Sequence, residues 1–327
     1  MRKIVLSIIF LFQSLFAQQN PIDGDSLTII VPNAAGGLMA RYARMVEPYL
    51  EKYLEMQVNI RIMTGGGNIR GTNYVWFADP DGTTIGFTSI PSLVLAQFSN
   101  SPAVQFDIEK FNFLGRVSTE PRVLVVGAQS NINDVSSLID LDREFIYPSQ
   151  GTDEDFFTMI ILAEALGLDL KPIMGYNGNP DTAMAIIRGD GDGQITSWRA
   201  SLASMQNGDQ IPILNIGRDH YEDFINVPSV LSYANNDANE AMTAVVDMLD
   251  THRGFFGPPG LSNEIVNYLR EKIFLALSDP ELLEVANQNA LPLVPSHGAE
   301  EATKINQLVL SEGLIMPILE STLNTLR

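Results

Sequence analysis

The chain has 327 residues, 45% of them apolar, with 20 basic against 39 acidic residues, a net charge of −19 and no cysteine. That length can bury one or two sizeable cores at about 100–200 residues per domain, and the missing thiol excludes disulfides, thiolate metal sites and a lipid anchor on an N-terminal cysteine. So acidic a surface repels nucleic acid and anionic membranes, neither of which is expected as a partner, and an anionic ligand would need a local site to hold it against the overall field.

The opening MRKIVLSIIFLFQSLFAQQN sets Arg2 and Lys3 before an apolar run from Ile4 to Phe12, followed by the small residue Ala17 after a short polar break. This is the layout of a secretory signal, with cleavage expected after Ala17 so that residues 1–17 are lost. The apolar run is too short for a bilayer span of about 20 residues. A buried N-terminal strand or helix accounts less well for the basic start and the Gln-Gln-Asn-Pro flank. Cleavage removes Arg2 and Lys3 and no acid, leaving 18 basic against 39 acidic residues, or −21. No later segment has the length and apolarity of a transmembrane helix, so a soluble, periplasmic mature protein is expected.

Short β-rich runs then alternate with segments of helical period: 27–31, 58–63, 84–90, 122–127, 211–216 and 253–257. The alternation predicts an α/β protein with largely parallel strands. Between the first two runs, Leu38, Tyr42, Met45, Val46, Tyr49, Tyr53 and Leu54 recur at three- and four-residue spacings and mark one apolar helix face, which Pro48 should kink or weaken. A helix is expected over Pro91 to Phe98, and residues 100–112 read as a loop with an edge strand. Residues 154–166 and 181–189 form helices stopped by Gly167 and Gly189. Residues 263–289 make two helices broken near Asp279-Pro280, with Asp279 as a cap, and 300–323 a terminal helical segment interrupted by Gly313 and Pro317. There is no internal repeat. The middle of the chain has its own strands and helices while the last quarter is too helical to make a sheet alone. Two lobes follow, one discontinuous (26–125 plus 251–327) and one continuous (126–250), with a ligand cleft between them.

Three loops attract attention. After the first strand, Ala34 to Gly37 form a turn without bulky side chains just ahead of a helix starting near Leu38, which leaves backbone N–H groups and the positive helix end open to an anion. A close-packed turn that binds nothing is the competing account. The second loop, TGGGNIRGTNY (64–74), superficially matches a dinucleotide fingerprint, but Gly65, Gly67 and Gly71 are spaced G-x-G-x-x-x-G, so a packing or hinge loop is favoured. In the third, YPSQGTDEDFF (147–157), the plain reading makes Thr152 or Asp153 an N-cap, and the functional reading adds the N–H groups of 150–153 facing the cleft. Two helix ends, one from each lobe, could then grip a carboxylate from opposite sides.

No catalytic constellation stands out. His220, His252 and His297 lie far apart, and neither a G-x-S-x-G elbow nor an H-E-x-x-H pair occurs. GDGDG (189–193) lacks the EF-hand series of oxygen ligands and reads as a helix stop and turn, so neither metal nor cofactor is expected. The TSWR segment that follows, with Thr196, Trp198 and Arg199, could line the cleft.

Taken together, VP-x-AAGG…YAR, GGGNIRGTNYVWFADPDGTTIGF, FLGRVSTEPRVLVV and IYPSQGT…MGYNGNPDTAMAIIRGDGDG resemble the extracytoplasmic solute receptors of tripartite tricarboxylate transporters, the Bug-type receptors, over nearly the whole mature chain. The resemblance implies a two-lobed type II periplasmic binding protein fold, a small carboxylate ligand and membrane permease subunits as partners, with the receptor a monomer and no chemistry performed. It places the ligand carboxylate beside Ala35, Gly36 and Gly37. It adds Ser149, Gly151, Thr152 and Asp153 from the second lobe, Tyr176 and Asn177 from a Tyr-x-Gly segment, and the strand-end hydroxyls of Thr88 and Ser89 as cleft residues. Many relatives carry an acid shortly after the double glycine, where this chain reads Leu38, Met39, Ala40, Arg41; the change points to a less polar carboxylate, such as an aromatic or longer aliphatic acid. A sensing receptor without a transport role is an alternative. An exported hydrolase or lyase is another, though it would need a nucleophile or acid–base pair of recognisable spacing.

Overall fold

The computed structural model describes residues 20–119, 122–218, 226–233 and 238–325, so the expected signal at 1–17 and His220 lie outside the described residues. The chain begins with β1 (Ser26–Val31), α1 (Leu38–Leu54), β2 (Gln57–Ile62), α2 (Ile69–Trp76), β3 (Thr84–Ser89), α3 (Ile90–Phe98) and β4 (Asn112–Ser118). It continues through β5 (Arg122–Gly127), α4 (Val135–Ile139), β6 (Phe145–Ser149), α5 (Glu154–Leu166), β7 (Leu170–Met174) and α6 (Asn179–Arg188). Then follow β8 (Gly193–Ser197), α7 (Trp198–Gln206), β9 (Gln210–Ile216) and α8 (Ala238–Leu249). The last stretch holds β10 (Arg253–Gly257), α9 (Asn263–Leu277), α10 (Pro280–Gln288), β11 (Ser296–His297), α11 (Gly298–Val309) and α12 (Glu312–Thr325).

Six strands form one sheet in the order β11-β4-β10-β3-β1-β2, while β8-β5-β9 and β6-β7 form two smaller sheets. Among the named strands, β1–β2, β1–β3 and β6–β7 pair parallel and the other five pairs are antiparallel. The largely parallel sheet expected from the alternation is therefore corrected to a mixed one. The reason is the path of the chain: β4 runs out of the large sheet toward the smaller sheets, and β10 comes back in the opposite direction and wedges between β3 and β4, antiparallel to both. The expected edge strand within 100–112 is absent; a short 3-10 turn at Ile108–Lys110 leads instead into β4, an internal strand.

Local chemistry explains the elements around the cleft. Helix α1 buries Met39, Tyr42, Ala43, Val46, Leu50 and Leu54 on one face. Pro48 leaves it continuous because Pro48 and Arg44, whose carbonyl loses its donor, are both on the exposed side, where water can satisfy the orphaned group. Gly167 and Gly189 close α5 and α6 at φ 71° and 84°, conformations that suit glycine. Asp279 caps α10 through the Glu281 N–H and also accepts from Lys52 Nζ (2.7 Å) and Tyr53 Oη (3.0 Å), which ties α10 to α1.

One core lies under α1 and α9 against the large sheet, and a second joins α3, α5, α8 and α12 to the inner faces of the sheets. Eleven of the thirteen residues of α5 are buried, so this helix is enclosed on nearly every side rather than amphipathic. Phe156 and Phe157 meet edge to face at 5.6 Å inside it. Replacing Phe157 with alanine should lower the unfolding free energy by about 3–5 kcal/mol in urea titrations; a loss under about 1 kcal/mol would mean that α5 is not the core helix described here.

Candidate functional site

The first wall of the cleft is built by β1, which ends at Pro32, and by the bare turn that follows. Gly37 is the N-cap of α1 and offers no side chain to the first turn, which contains no acid, so the leading N–H groups of a 17-residue helix remain open. A Cβ at Gly36 would meet nothing within 4 Å, whereas one at Gly37 would stand 3.2 Å from the Ala34 carbonyl. The turn is braced from outside by Arg44, whose Nη1 donates to the Ala35 carbonyl at 3.0 Å. Beneath it, the buried Thr88 hydroxyl donates to Asn33 Oδ1 (3.0 Å) and Asn33 Nδ2 donates to Asn68 Oδ1 (3.1 Å).

The second wall follows β6. Ser149 folds onto its own loop: its hydroxyl donates to the Gly151 carbonyl (2.9 Å) and accepts the Gly151 N–H (3.2 Å). Asp153 caps α5 by accepting the Phe156 N–H at 3.0 Å, and its other oxygen accepts from Gln150 Nε2. Glu154 and Asp155 follow in the first turn. This helix end thus meets the cleft with three carboxylates of its own, unlike the uncapped start of α1. The Gly151 N–H, expected to be available to a ligand, is taken by Ser149.

Between the walls lies a buried ionic knot. Arg122, which opens β5 where the chain leaves the large sheet, donates through Nε to Glu154 Oε1 at 2.9 Å and sits 3.2 Å from Asp155 Oδ1. Its Nη2 lies 2.9 Å from Nε2 of His252, the residue just before β10. The same imidazole nitrogen stands 3.2 Å from Glu154 Oε1, between the guanidinium and the carboxylate. Ser89, the N-cap of α3, adds its hydroxyl to Glu154 Oε2.

These contacts sort the titrations. Burial alone would raise Glu154, but Arg122, then His252 and Ser89, overcome it and hold the carboxyl below the usual range. Asp155 is pushed up to about 8 by burial, with Asp153 and Glu154 adding to the rise, and Asp153 is raised to about 6, again chiefly by burial. Burial lowers His252 from its ordinary value, against the opposing pull of the Glu154 carboxylate.

A cleft of about 580 Å³ opens between the walls, lined by residues of the large sheet's loops and of the β6, β7 and β8 ends. Of the sequence-predicted residues, Gly36, Gly37, Leu38, Ser89, Asp153 and Asn177 line it. Ala35, Thr88, Ser149, Gly151, Thr152, Tyr176 and Thr196 do not. Thr88 and Thr196 are fully buried, the latter accepting from Asn179 Nδ2 at 3.3 Å, and Tyr176 donates its backbone N–H to the Ser149 carbonyl at 3.2 Å. They shape the walls from behind.

Sequence reasoning missed Asn33, Arg122, Glu154 and Asp155 as cleft residues, and also His252 and Arg253, because no local motif joins them: Arg122 and His252 are 130 positions apart. The available signal was charge. Arg41, Arg122, Arg199 and Arg253 all line the cleft of a strongly acidic chain. Arg253 also stacks its guanidinium 4.4 Å over the ring of Tyr42. The GDGDG turn has structural partners instead: Asp192 takes both Nη atoms of Arg143 at 2.7 and 2.8 Å and the Ile146 N–H at 2.8 Å. A second groove of about 600 Å³ at the β2 edge, lined in part by Arg61, Arg70, Tyr74 and Phe77, contains none of the predicted site residues.

Residues 42–316 match the family described as "Tripartite tricarboxylate transporter family receptor". A protein of Pseudomonas sp. strain P51, the "UPF0065 protein in tcbD-tcbE intergenic region", is 26% identical over 286 residues, covering 84% of this chain and 80% of its own. Among solved structures, the periplasmic binding protein BugD superposes with a TM-score of 0.73 at 18% identity, over 90% of this chain and 97% of its own. MatC from Rhodopseudomonas palustris, solved with bound malate, gives 0.72 at 18% identity, over 90% of this chain and 99% of its own. These likenesses establish the two-domain α/β fold of periplasmic binding proteins.

Because Asp155 has a folded-state pKa of about 8 against about 3.9 unfolded, the native state holds a proton that the unfolded state releases, and stability falls as pH rises through that window. Between pH 7 and 8, above the ordinary histidine range, the slope should approach about 1 kcal/mol per pH unit. Asp155→Asn should flatten it in thermal melts; an unchanged slope in that variant would assign the proton elsewhere.

Proposed function

The chain belongs to the tripartite tricarboxylate transporter receptor family, whose members bind a solute and deliver it to a membrane permease, and we propose that its own solute is a small organic carboxylate. The observation that carries the reading is the uncapped N-terminus of α1 opening into a cleft lined by four arginines, in a protein whose net charge would otherwise repel an anion. Open N–H groups and the helix dipole favour a carboxylate by about 0.3–2 kcal/mol per helix end, depending on burial. Arg41 stands one turn into the same helix, and Leu38 and Met39 offer apolar surface to the body of the acid. Malate in MatC, a receptor of the same fold, fits this ligand class.

Closure of the lobes around the acid would complete the site, as ligand-driven domain closure requires contacts made only in the shut state. The receptor would act as a monomer, in the periplasm, after loss of residues 1–17, and present its shut form to the permease subunits. The hydroxyl of Ser89 meets Glu154, which is held below its usual range and is a poor base, and His252 faces Arg122 and Glu154 rather than a hydroxyl.

A thermal-shift screen of mono-, di- and tricarboxylates, aromatic acids and amino acids, confirmed by calorimetry, tests the reading. One acid class should give saturable stabilisation. Gly36→Leu, which places a side chain in open space, should weaken that binding at least tenfold with little change in melting temperature. Binding of neutral sugars or nucleotides alone, or full affinity in the Gly36 variant, would overturn it. Mass spectrometry of the protein from a periplasmic extract should find Gln18 as the first residue, and an intact Met1 would refute the cleavage.

A further inference from the structure

The glycine-rich segment 64–71 contributes no residue to the lining of the cleft. Its geometry is nevertheless demanding: Gly65, Gly66, Gly67 and Asn68 have φ values of 133°, 60°, 62° and 78°, four consecutive residues in conformations that L side chains rarely adopt. Two glycines here face backbone. At Gly71 a Cβ would stand 2.7 Å from Pro32 Cβ and 2.9 Å from the Met63 carbonyl, so this residue packs the start of α2 under the bare turn of the first wall. At Gly67 a Cβ would stand 2.5 Å from the carbonyl oxygen of Thr152 and 3.0 Å from its carbon. Thr152 belongs to the loop after β6, on the other side of the cleft.

The position of this contact matters. The chain passes between the lobes at β4 and β10, and in the order β10-β3-β1-β2 the strand preceding the glycine loop is three places from β10, about 14 Å at about 4.8 Å per strand. Ser89 meets Glu154 beside the crossings, and Gly67 meets Thr152 at the far flank, so the cleft lies between two points where the walls touch. The loop is also joined to the lining, through Asn68 Oδ1 accepting from the cleft residue Asn33.

We propose that the glycine-rich loop is the closure surface of this receptor, with Gly67 a positioning residue whose bare Cα lets the two lobes seat against each other while touching no ligand. The inference rests on the two-lobed binding reading, but not on which solute is bound. Any side chain at position 67 must displace the Thr152 backbone, holding the lobes apart at the flank farthest from the crossings. Gly66 supplies the control. It has nearly the same φ, yet a Cβ there would meet only Ile69 Cβ at 3.8 Å, an ordinary contact. Gly66→Ala and Gly67→Ala therefore place alanine at nearly the same positive φ, and only the second meets the Thr152 backbone and obstructs closure.

Since the chain has no cysteine, Leu38→Cys and Asn177→Cys, one on each wall, can be joined by a short thiol-reactive cross-linker in ligand-free protein. The cross-linking rate reports how often the walls meet, even when the shut form is a minor state. Adding Gly67→Ala should slow it at least tenfold, and adding Gly66→Ala should leave it within twofold. In the cysteine-free chain, Gly67→Ala should also weaken the acid identified by the screen at least tenfold, mainly through faster release. Equal rates in the parent and the Gly67 variant, or equal slowing by both alanines, would overturn the proposal. Failure of every acid to bind the parent would defeat the carboxylate reading, and the cross-linking comparison would still decide the role of Gly67.

Discussion

Glu154 is held by Arg122, His252 and Ser89 in a space from which water is nearly excluded, and the arrangement of both walls depends on this one carboxylate. A buried ion pair is costly to assemble: desolvation of the partners roughly cancels their attraction, so the knot is weak evidence for stability in itself. Its effect is geometric. Arg122 belongs to the outgoing crossing, His252 to the returning one, Ser89 to the end of β3 and Glu154 to the start of α5. Removing any partner would leave an uncompensated charge or donor in the interior, so these four chain segments are fixed relative to one another far more firmly than their neighbouring loops.

The walls that the knot positions are electrically unlike. The α1 side presents backbone donors and no acid in its first turn, while the α5 side presents Asp153, Glu154 and Asp155. On the proposed reading an anionic group would turn toward α1, because the dipole of α5 is already answered by the protein's own carboxylates. The second wall then contributes mainly shape and neutral donors such as Asn179. Asp155 holds its proton so far above the ordinary range chiefly because it is buried, with the neighbouring carboxylates Asp153 and Glu154 adding to the rise against the pull of Arg122.

Much of this was legible in the residues. The alanines and glycines of 34–37 marked the bare turn, the three- and four-residue spacing from Leu38 to Leu54 marked α1, and Gly167, Gly189 and Asp279 acted as the helix signals they resemble. These are local rules, satisfied within a few residues. The failures are all non-local. Parallel pairing was expected from alternation alone, but the direction of β10 depends on where the chain re-enters the sheet. Thr88 was expected at the cleft as a strand-end hydroxyl and Thr196 through the TSWR segment, and each hydroxyl meets a half-buried side-chain amide behind the cleft lining. The three acids of 153–155 looked like a cap and its neighbours; only the approach of Arg122, more than thirty residues away, makes them a charge network.

The insertion of β10 between β3 and β4 has a consequence for how the molecule is made. Antiparallel ladders on both sides of β10 hold the large sheet together, and they bring residues 84–118 into register with residues 253–257. As the chain emerges, β1, β2 and β3 can pair early, but β4 has no neighbour on that side until roughly a hundred and thirty further residues have followed. Closing so long a loop is slow, since its entropy must be lost before the contacts repay it. The half of the molecule that begins the chain is thus among the last to finish folding, and a nascent polypeptide kept open in this way remains threadable through a narrow channel until nearly its whole length has been synthesised.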